Sequence, residues 1–192
     1  MTRLLLLLQP CSVMYRGLMG PQKGRSSSKE QIGLLYRPDK IQFAGAFPMK
    51  TKSKAFERPP DCFALVIKES GLRLGVLAVH IDPDDVKMEM DALYDVTQEC
   101  QRSAGTQNLI ILGDMNADCS YLSKWDQNEL RLRTDQRYKW LIEDGADTTV
   151  AKSDCAYDSH LSPHPPISTH GDGQFTTQWC CLRCPPNASA SS

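Results

Sequence analysis

His80 closes the apolar run VLAVH and is followed at once by the acidic turn IDPDD. An imidazole at a strand end beside carboxylates can titrate near neutral pH and serve as general acid or base, although a lone histidine is more often structural. A second candidate is LIILGDMNADCSY at 109–121, which places Asp114 and Asn116 just past a short apolar run. Open α/β sheets put their ligands at such carboxyl ends. A carboxylate and an amide two residues apart can orient a histidine, or coordinate a hard cation while the amide donates to a phosphate oxygen. Gly-Asp and Asn are equally ordinary turn residues. Further on, Asp147-Thr148-Thr149 reads as a simple turn or as oxygen ligands for Ca²⁺, and CAYD at 155–158 supplies Asp158.

The elements that must hold these groups can be read from hydrophobic period. Residues 20–28 form a polar loop feeding a strand at 32–36, and 63–67 and 72–79 are β-rich runs split by Glu69, Ser70 and Gly71 as in a hairpin. Asp82, Pro83, Asp84 and Asp85 supply an N-cap, a proline for the first turn and two carboxylates beside the positive helix end. Apolar residues then recur at Val86, Met90, Leu93, Val96 and Cys100, which predicts a helix to about Arg102. Residues 109–112 are a continuous apolar run ending in Gly113 and Asp114, the pattern of a buried strand delivering a loop. Strands with an interposed helix indicate an α/β domain.

Composition bounds the function class. The 192 residues are one domain's worth, 41% are hydrophobic and 23% charged, and a net charge of -1 gives no global positive field toward nucleic acid or membrane. Any polyanion site is therefore local. Eight cysteines weakly favour an oxidising compartment. The block Leu4 to Leu8 is too short for a membrane span, and fits either a truncated signal peptide or a start inside a longer protein. Residues 1–24 read as poorly defined, 25–159 as the domain, and 160–192, rich in Pro, His and small residues, as a disordered tail. The Cys180, Cys181 and Cys184 cluster lacks a second ligand pair for zinc, with His164 and His170 in Pro-rich context, and Asn187-Ala188-Ser189 is a glycosylation sequon that matters only in a secreted chain.

In order between Ser28 and Asp158, the blocks SKEQIGLLYRPDK, HIDPDD, DALYDV, GDMNADCSY, LRLRT, WLI, DTTV and CAYD resemble the deoxyribonuclease I family over two-thirds of the chain. The resemblance implies an α/β fold, here a partial two-sheet αββα sandwich, that cuts phosphodiester bonds in DNA with Mg²⁺ or Mn²⁺ and Ca²⁺. It implies that Glu30 orients His80 and is a candidate metal ligand, that His80 is the first acid-base histidine, and that Asp114 and Asn116 stand near the scissile phosphate. Asp158 takes the place of an aspartate that supports a second histidine. Arg25 and Arg58 match DNA-contacting positions, although each alone reads as a solvated charge. Cys119 and Cys155 match a structural disulfide, whose closure of about 37 residues contributes on the order of 3.8 kcal/mol.

Asp147 and Thr149 match a calcium loop in which Ala151 replaces an oxygen ligand, and Ser28 replaces an aromatic residue that stacks in the minor groove. The loop between Ala44 and Phe56 lacks the acidic, cysteine-bearing version, so a second calcium site is not expected. Nothing in 1–24 resembles the family's first strand with its asparagine and metal-holding glutamate, and no Ser-Asp-His triplet occurs; Asp158-Ser159-His160 is not assigned that role. The expectation is a monomeric, secreted or endoplasmic-reticulum deoxyribonuclease in an incomplete, weakly active or inactive form, with a nuclear location as the alternative. The other reading is a non-catalytic relative that binds DNA or a protein partner through the retained face. A phosphoesterase acting on abasic DNA or phosphoinositides is disfavoured by DALYDV and GDMNADCSY.

Overall fold

Period-two apolar patterning builds the centre of the molecule. The computed structural model describes residues 14–25, 27, 29–51, 54–143, 145–149 and 154–163. The leucine block at 4–8, Ser28, Ala151, His164, His170, the cysteines at 180, 181 and 184 and the sequon at Asn187 lie outside those residues. Eight strands are described: β1 (Arg16–Met19), β2 (Gly33–Tyr36), β3 (Ile41–Pro48), β4 (Asp61–Ile67), β5 (Arg73–His80), β6 (Leu109–Asp114), β7 (Tyr138–Trp140) and β8 (Asp158–Pro163). Helix α1 (Val86–Ala104) crosses over between β5 and β6, and short helices α2 (Lys124–Glu129) and α3 (Arg131–Thr134) follow. The large sheet has the order β3-β4-β5-β6-β8-β7, while β1 and β2 make a two-stranded sheet of their own.

All pairs in the large sheet are antiparallel except β5 with β6, which the long crossover through α1 makes parallel. Alternate residues of each strand fall on opposite faces. Cys62, Ala64, Leu77, Val79, Leu109, Ile111 and Leu161 pack with Val86, Met90, Leu93 and Val96 of α1. On the other face, Phe63, Leu65, Leu74, Val76 and Ala78 meet Ile32 and Leu34 of the β2 region. A bulge between Phe43 and Gly45 switches the facing of β3, so that Ile41 and Phe43 serve one layer and Phe47 the other. Each fully buried Leu, Ile or Phe contributes roughly 1.5–3 kcal/mol relative to exposure, so both layers stabilise the central strands.

The helix ends differ from the sequence reading. It starts at Val86 with Asp85 in the cap position and no side-chain cap bond, and Asp82, expected among the capping residues, instead accepts the Asp84 N–H at 3.3 Å. The helix closes at Gly105, in the left-handed conformation, with the Gly105 and Thr106 N–H groups returned to Arg102 and Gln101.

Two segments correct expectation. Residues 160–163, expected in the disordered tail, continue β8: Leu112 faces His160 and Ile111 faces Leu161, which is fully buried. An open β6 edge would leave a row of unpaired backbone groups, and β8 covers it. Strand β1 lies inside the segment expected to be poorly defined, paired over four residues with β2. No helix among the described residues is long and apolar enough to cross a membrane.

Candidate active site

Three strand ends converge at one edge of the large sheet. His80 is the last residue of β5, Asp114 the last of β6 and Asp158 the first of the antiparallel β8, and the register places His80 opposite Asp114 and Asp114 opposite Asp158. Gly113 makes this approach possible. Its φ is +141°, and a Cβ built there would stand 1.9 Å from the Val79 carbonyl oxygen, so the GD of GDMN is a steric requirement of the sheet.

Glu30 arrives from the other sheet. Its backbone bridges Lys23, which prolongs the β1–β2 pairing, and its carboxylate reaches over to the strand ends. Glu30 Oε2 lies 2.6 Å from His80 Nδ1, and Glu30 Oε1 lies 3.4 Å from Arg58 Nη1. Arg58 Nε donates to the His80 carbonyl at 3.5 Å. A carboxylate against Nδ1 assigns the proton to that nitrogen, leaving Nε2 as the basic atom. Nε2 is 3.8 Å from Asp114 Oδ2, and the His80 side chain is 34% exposed. These groups, with Lys23, Gln31 and Ile32, line a cavity of about 220 Å³. Lys23 is held by Asp61 at 2.7 Å and by the Pro59 carbonyl, and this buried pair fixes the small sheet to the large one.

Asn116, 6% exposed and at φ +48°, donates from Nδ2 to the Ile81 carbonyl at 2.9 Å and from its backbone N–H to Asp114 Oδ1 at 3.1 Å. Its side chain thus ties the loop after β6 to the loop after β5. Burial pushes the Asp158 carboxyl up, the Asp114 charge adds to this, and His80 opposes it. Arg25 is clamped by Glu57, backbone N–H to Oε1 at 2.6 Å and Nε to Oε2 at 2.7 Å. Asp147 Oδ1 accepts the Thr149 N–H and hydroxyl at 2.9 and 2.8 Å, an Asx turn that does not line the His80 cavity. Cys119 and Cys155 are joined, as are Cys62 and Cys100.

A divalent ion would need oxygen donors to spare. Both Glu30 oxygens are engaged by His80 and Arg58, one Asp114 oxygen accepts the Asn116 N–H, and among the described residues no group of three or more His, Cys, Asp or Glu is placed to hold a metal. The residues present do not fit Mg²⁺ or Mn²⁺ at Glu30.

Sequence reasoning did not find Lys23, Gln31 and Ile32, which come to the cavity only through the docking of the small sheet. Nor did it find Glu89, fully buried on α1, or the Cys62–Cys100 pair. A signal for both existed: Glu89 and Cys100 fall on the apolar face of the helical pattern, where a charged residue must have partners.

Comparison with known proteins follows the same lines. No protein-family model matches the chain. Deoxyribonuclease-1 of Oryctolagus cuniculus is 35% identical over 152 residues, which is 75% of this chain and 53% of that protein. Deoxyribonuclease-1-like 1 of Cricetulus griseus is 38% identical over 161 residues, covering 83% of this chain and 51% of the relative. The chain thus spans about half the length of the curated relatives it matches. Among solved structures, the human Nocturnin catalytic domain with bound sulfate anion aligns at TM-score 0.56 and 13% identity over 78% of this chain and 61% of its own. An endonuclease/exonuclease/phosphatase family protein from Bacteroides thetaiotaomicron aligns at TM-score 0.55 and 11% identity over 78% of this chain and 59% of its own. At those identities the likeness is one of fold.

Proposed function

Because this chain is a relative of the deoxyribonuclease I family that spans about half the length of the members it matches, we propose that it engages a DNA phosphodiester at the His80 cavity and hydrolyses it weakly. The observation that carries the reading is the 2.6 Å bond from His80 to Glu30 at the cavity mouth. In that pair, Nε2 takes a proton from water attacking phosphorus, or returns one to the leaving oxygen, while Glu30 holds the tautomer and stabilises the imidazolium. Arg58, bonded to Glu30 and to the His80 carbonyl, adds positive charge where the phosphate would sit. Arg25, clamped to Glu57 next to Arg58 in the chain, would meet the DNA backbone. Asp158, with its raised carboxyl, stands at the far end of the row to take or share a proton.

One positioned acid-base group typically supplies about 10²–10⁴ in rate. The activity proposed is of that order above background, well short of what a complete constellation with a metal ion supplies. The two disulfides fit an oxidising compartment, and the proposed location is secretory.

A plasmid-nicking assay with Mg²⁺, Mn²⁺ and Ca²⁺, wild type against His80→Ala, tests the proposal. The wild type should nick slowly and His80→Ala should be slower by roughly 10²-fold or more. Identical background in both overturns hydrolysis, and retained DNA affinity in a fluorescence-anisotropy titration would then favour a non-catalytic DNA-binding relative.

A further inference from the structure

The loop that carries Arg25's partner and Arg58 joins β3 to β4, and the loop that follows His80 joins β5 to α1, so the β4–β5 hairpin separates them along the chain. They meet on one side chain. Glu89, 0% exposed on the first turn of α1, accepts the Glu57 N–H at Oε1 over 2.6 Å and the Asp82 N–H at Oε2 over 3.0 Å. Glu57 is the residue before Arg58 and is itself the clamp on Arg25; Asp82 is two residues past His80. We propose that Glu89 is a positioning residue for the His80 site, a buried carboxylate that fixes the 57–58 loop and the 80–82 loop at one distance from each other and so sets the Glu30–His80–Arg58 contacts.

A buried carboxylate is costly unless its oxygens are satisfied, so its presence on the apolar face of α1 calls for a reason beyond packing. A leucine would fill the same place in the helix pattern. What only a carboxylate supplies is two acceptor oxygens facing two backbone donors from two loops. Burial raises the Glu89 carboxyl and the Asp82 charge adds to the rise, while the two N–H bonds and the Arg58 charge oppose it, so the groups that Glu89 is placed to orient also stabilise its anion. Glu89 touches neither the cavity nor the reacting atoms. Its effect passes through Glu57 to Arg58 and Arg25, and through Asp82 to His80.

The inference rests on the reading of His80 as the proton-moving group, and its test does not require turnover. In protein labelled with ¹⁵N-histidine, with the His80 signal assigned by His80→Ala, the Nδ1–H proton bonded to Glu30 should be a resolved downfield resonance. Glu89→Gln keeps the size of the side chain and one acceptor, but turns an NH₂ toward the other N–H. The His80 resonance should then be lost to exchange. Leu132→Ala, a core truncation on α3 outside the cavity, serves as a control for lowered stability and should keep it. Retention of the signal in Glu89→Gln, or equal loss in Leu132→Ala, overturns the proposal. Should Glu89→Gln fail to fold, hydrogen exchange in the wild type decides: the Glu57 and Asp82 amides should be protected to the same extent and released together. Exchange of either at the rate of a free loop amide overturns the proposal. Failure of hydrolysis in the nicking assay leaves these signals where they are, so the two readings fall separately.

Discussion

Asp118 illustrates how a single carboxylate near the site governs acid stability. Burial alone would push its carboxyl up, but the Ala156 N–H at 3.0 Å, the Lys124 ammonium at 2.8 Å and the Gln127 amide at 3.1 Å outweigh that and hold it well below the usual carboxylate range. A carboxyl whose folded value is depressed stabilises the fold above its unfolded value of about 4 and loses that contribution as pH falls through the folded value. The wild type should therefore lose stability steeply below about pH 4. Asp118→Asn should be less stable by about 2 kcal/mol at pH 7, with the two curves converging in strong acid, as measured by urea denaturation across pH. A constant gap down to pH 2 would show that the anion is not what matters. Because Asp118 joins the loop after β6 to the segment entering β8, the same bonds help keep Asp114 beside Asp158.

At the scale of elements, the β5–α1–β6 crossover is the part most legible in the sequence. The helical spacing from Val86 to Cys100 and the apolar run at 109–112 have only one way to be buried, on either side of a parallel pair, so His80 and Asp114 reach the same edge. Other elements were not legible for physical reasons. Strands β1, β7 and β8 are three to six residues long with mixed polarity, and their pairing is decided by partners far along the chain. Glu30 was legible only through the family resemblance, which named it as the group that orients His80, and not from the pattern around it. Its sequence neighbourhood is polar loop text, and only the docking of one sheet on another brings it within 2.6 Å of an imidazole fifty positions away. Gly113 gives the element-scale prediction. Gly113→Ala forces a methyl group into the Val79 carbonyl and should destabilise by at least about 3 kcal/mol, a drop in Tm of roughly 6–12 °C. Gly71→Ala, at φ +69° with open space around it, should cost only about 1 kcal/mol. Equal losses in differential scanning calorimetry would contradict the steric reading.

At the scale of the whole molecule, the two disulfides among the described residues close consecutive, non-overlapping loops with sequence separations of 38 and 36. In the chain-entropy model each contributes about 4 kcal/mol. One staples β4 to α1 and so holds the helix that carries Glu89. The other staples the loop after β6 to the approach to β8. Their accessibility differs: Cys62 and Cys100 are 0% exposed, whereas Cys119 is exposed beside a buried Cys155. Thiol exchange needs access to a sulfur, so mild reduction of the native protein should open Cys119–Cys155 first, as read by alkylation and mass spectrometry. Simultaneous opening would show that the molecule must unfold before either bond is reached. The row of His80, Asp114 and Asp158 carries a last consequence. These side chains are neighbours on successive rungs, so their separation is quantised by the strand-to-strand spacing of about 4.8 Å and owes little to the connecting segments. Sequence drift, insertion or even a relocated chain break within those connectors can change much of the surface while the proton-handling groups keep their interval.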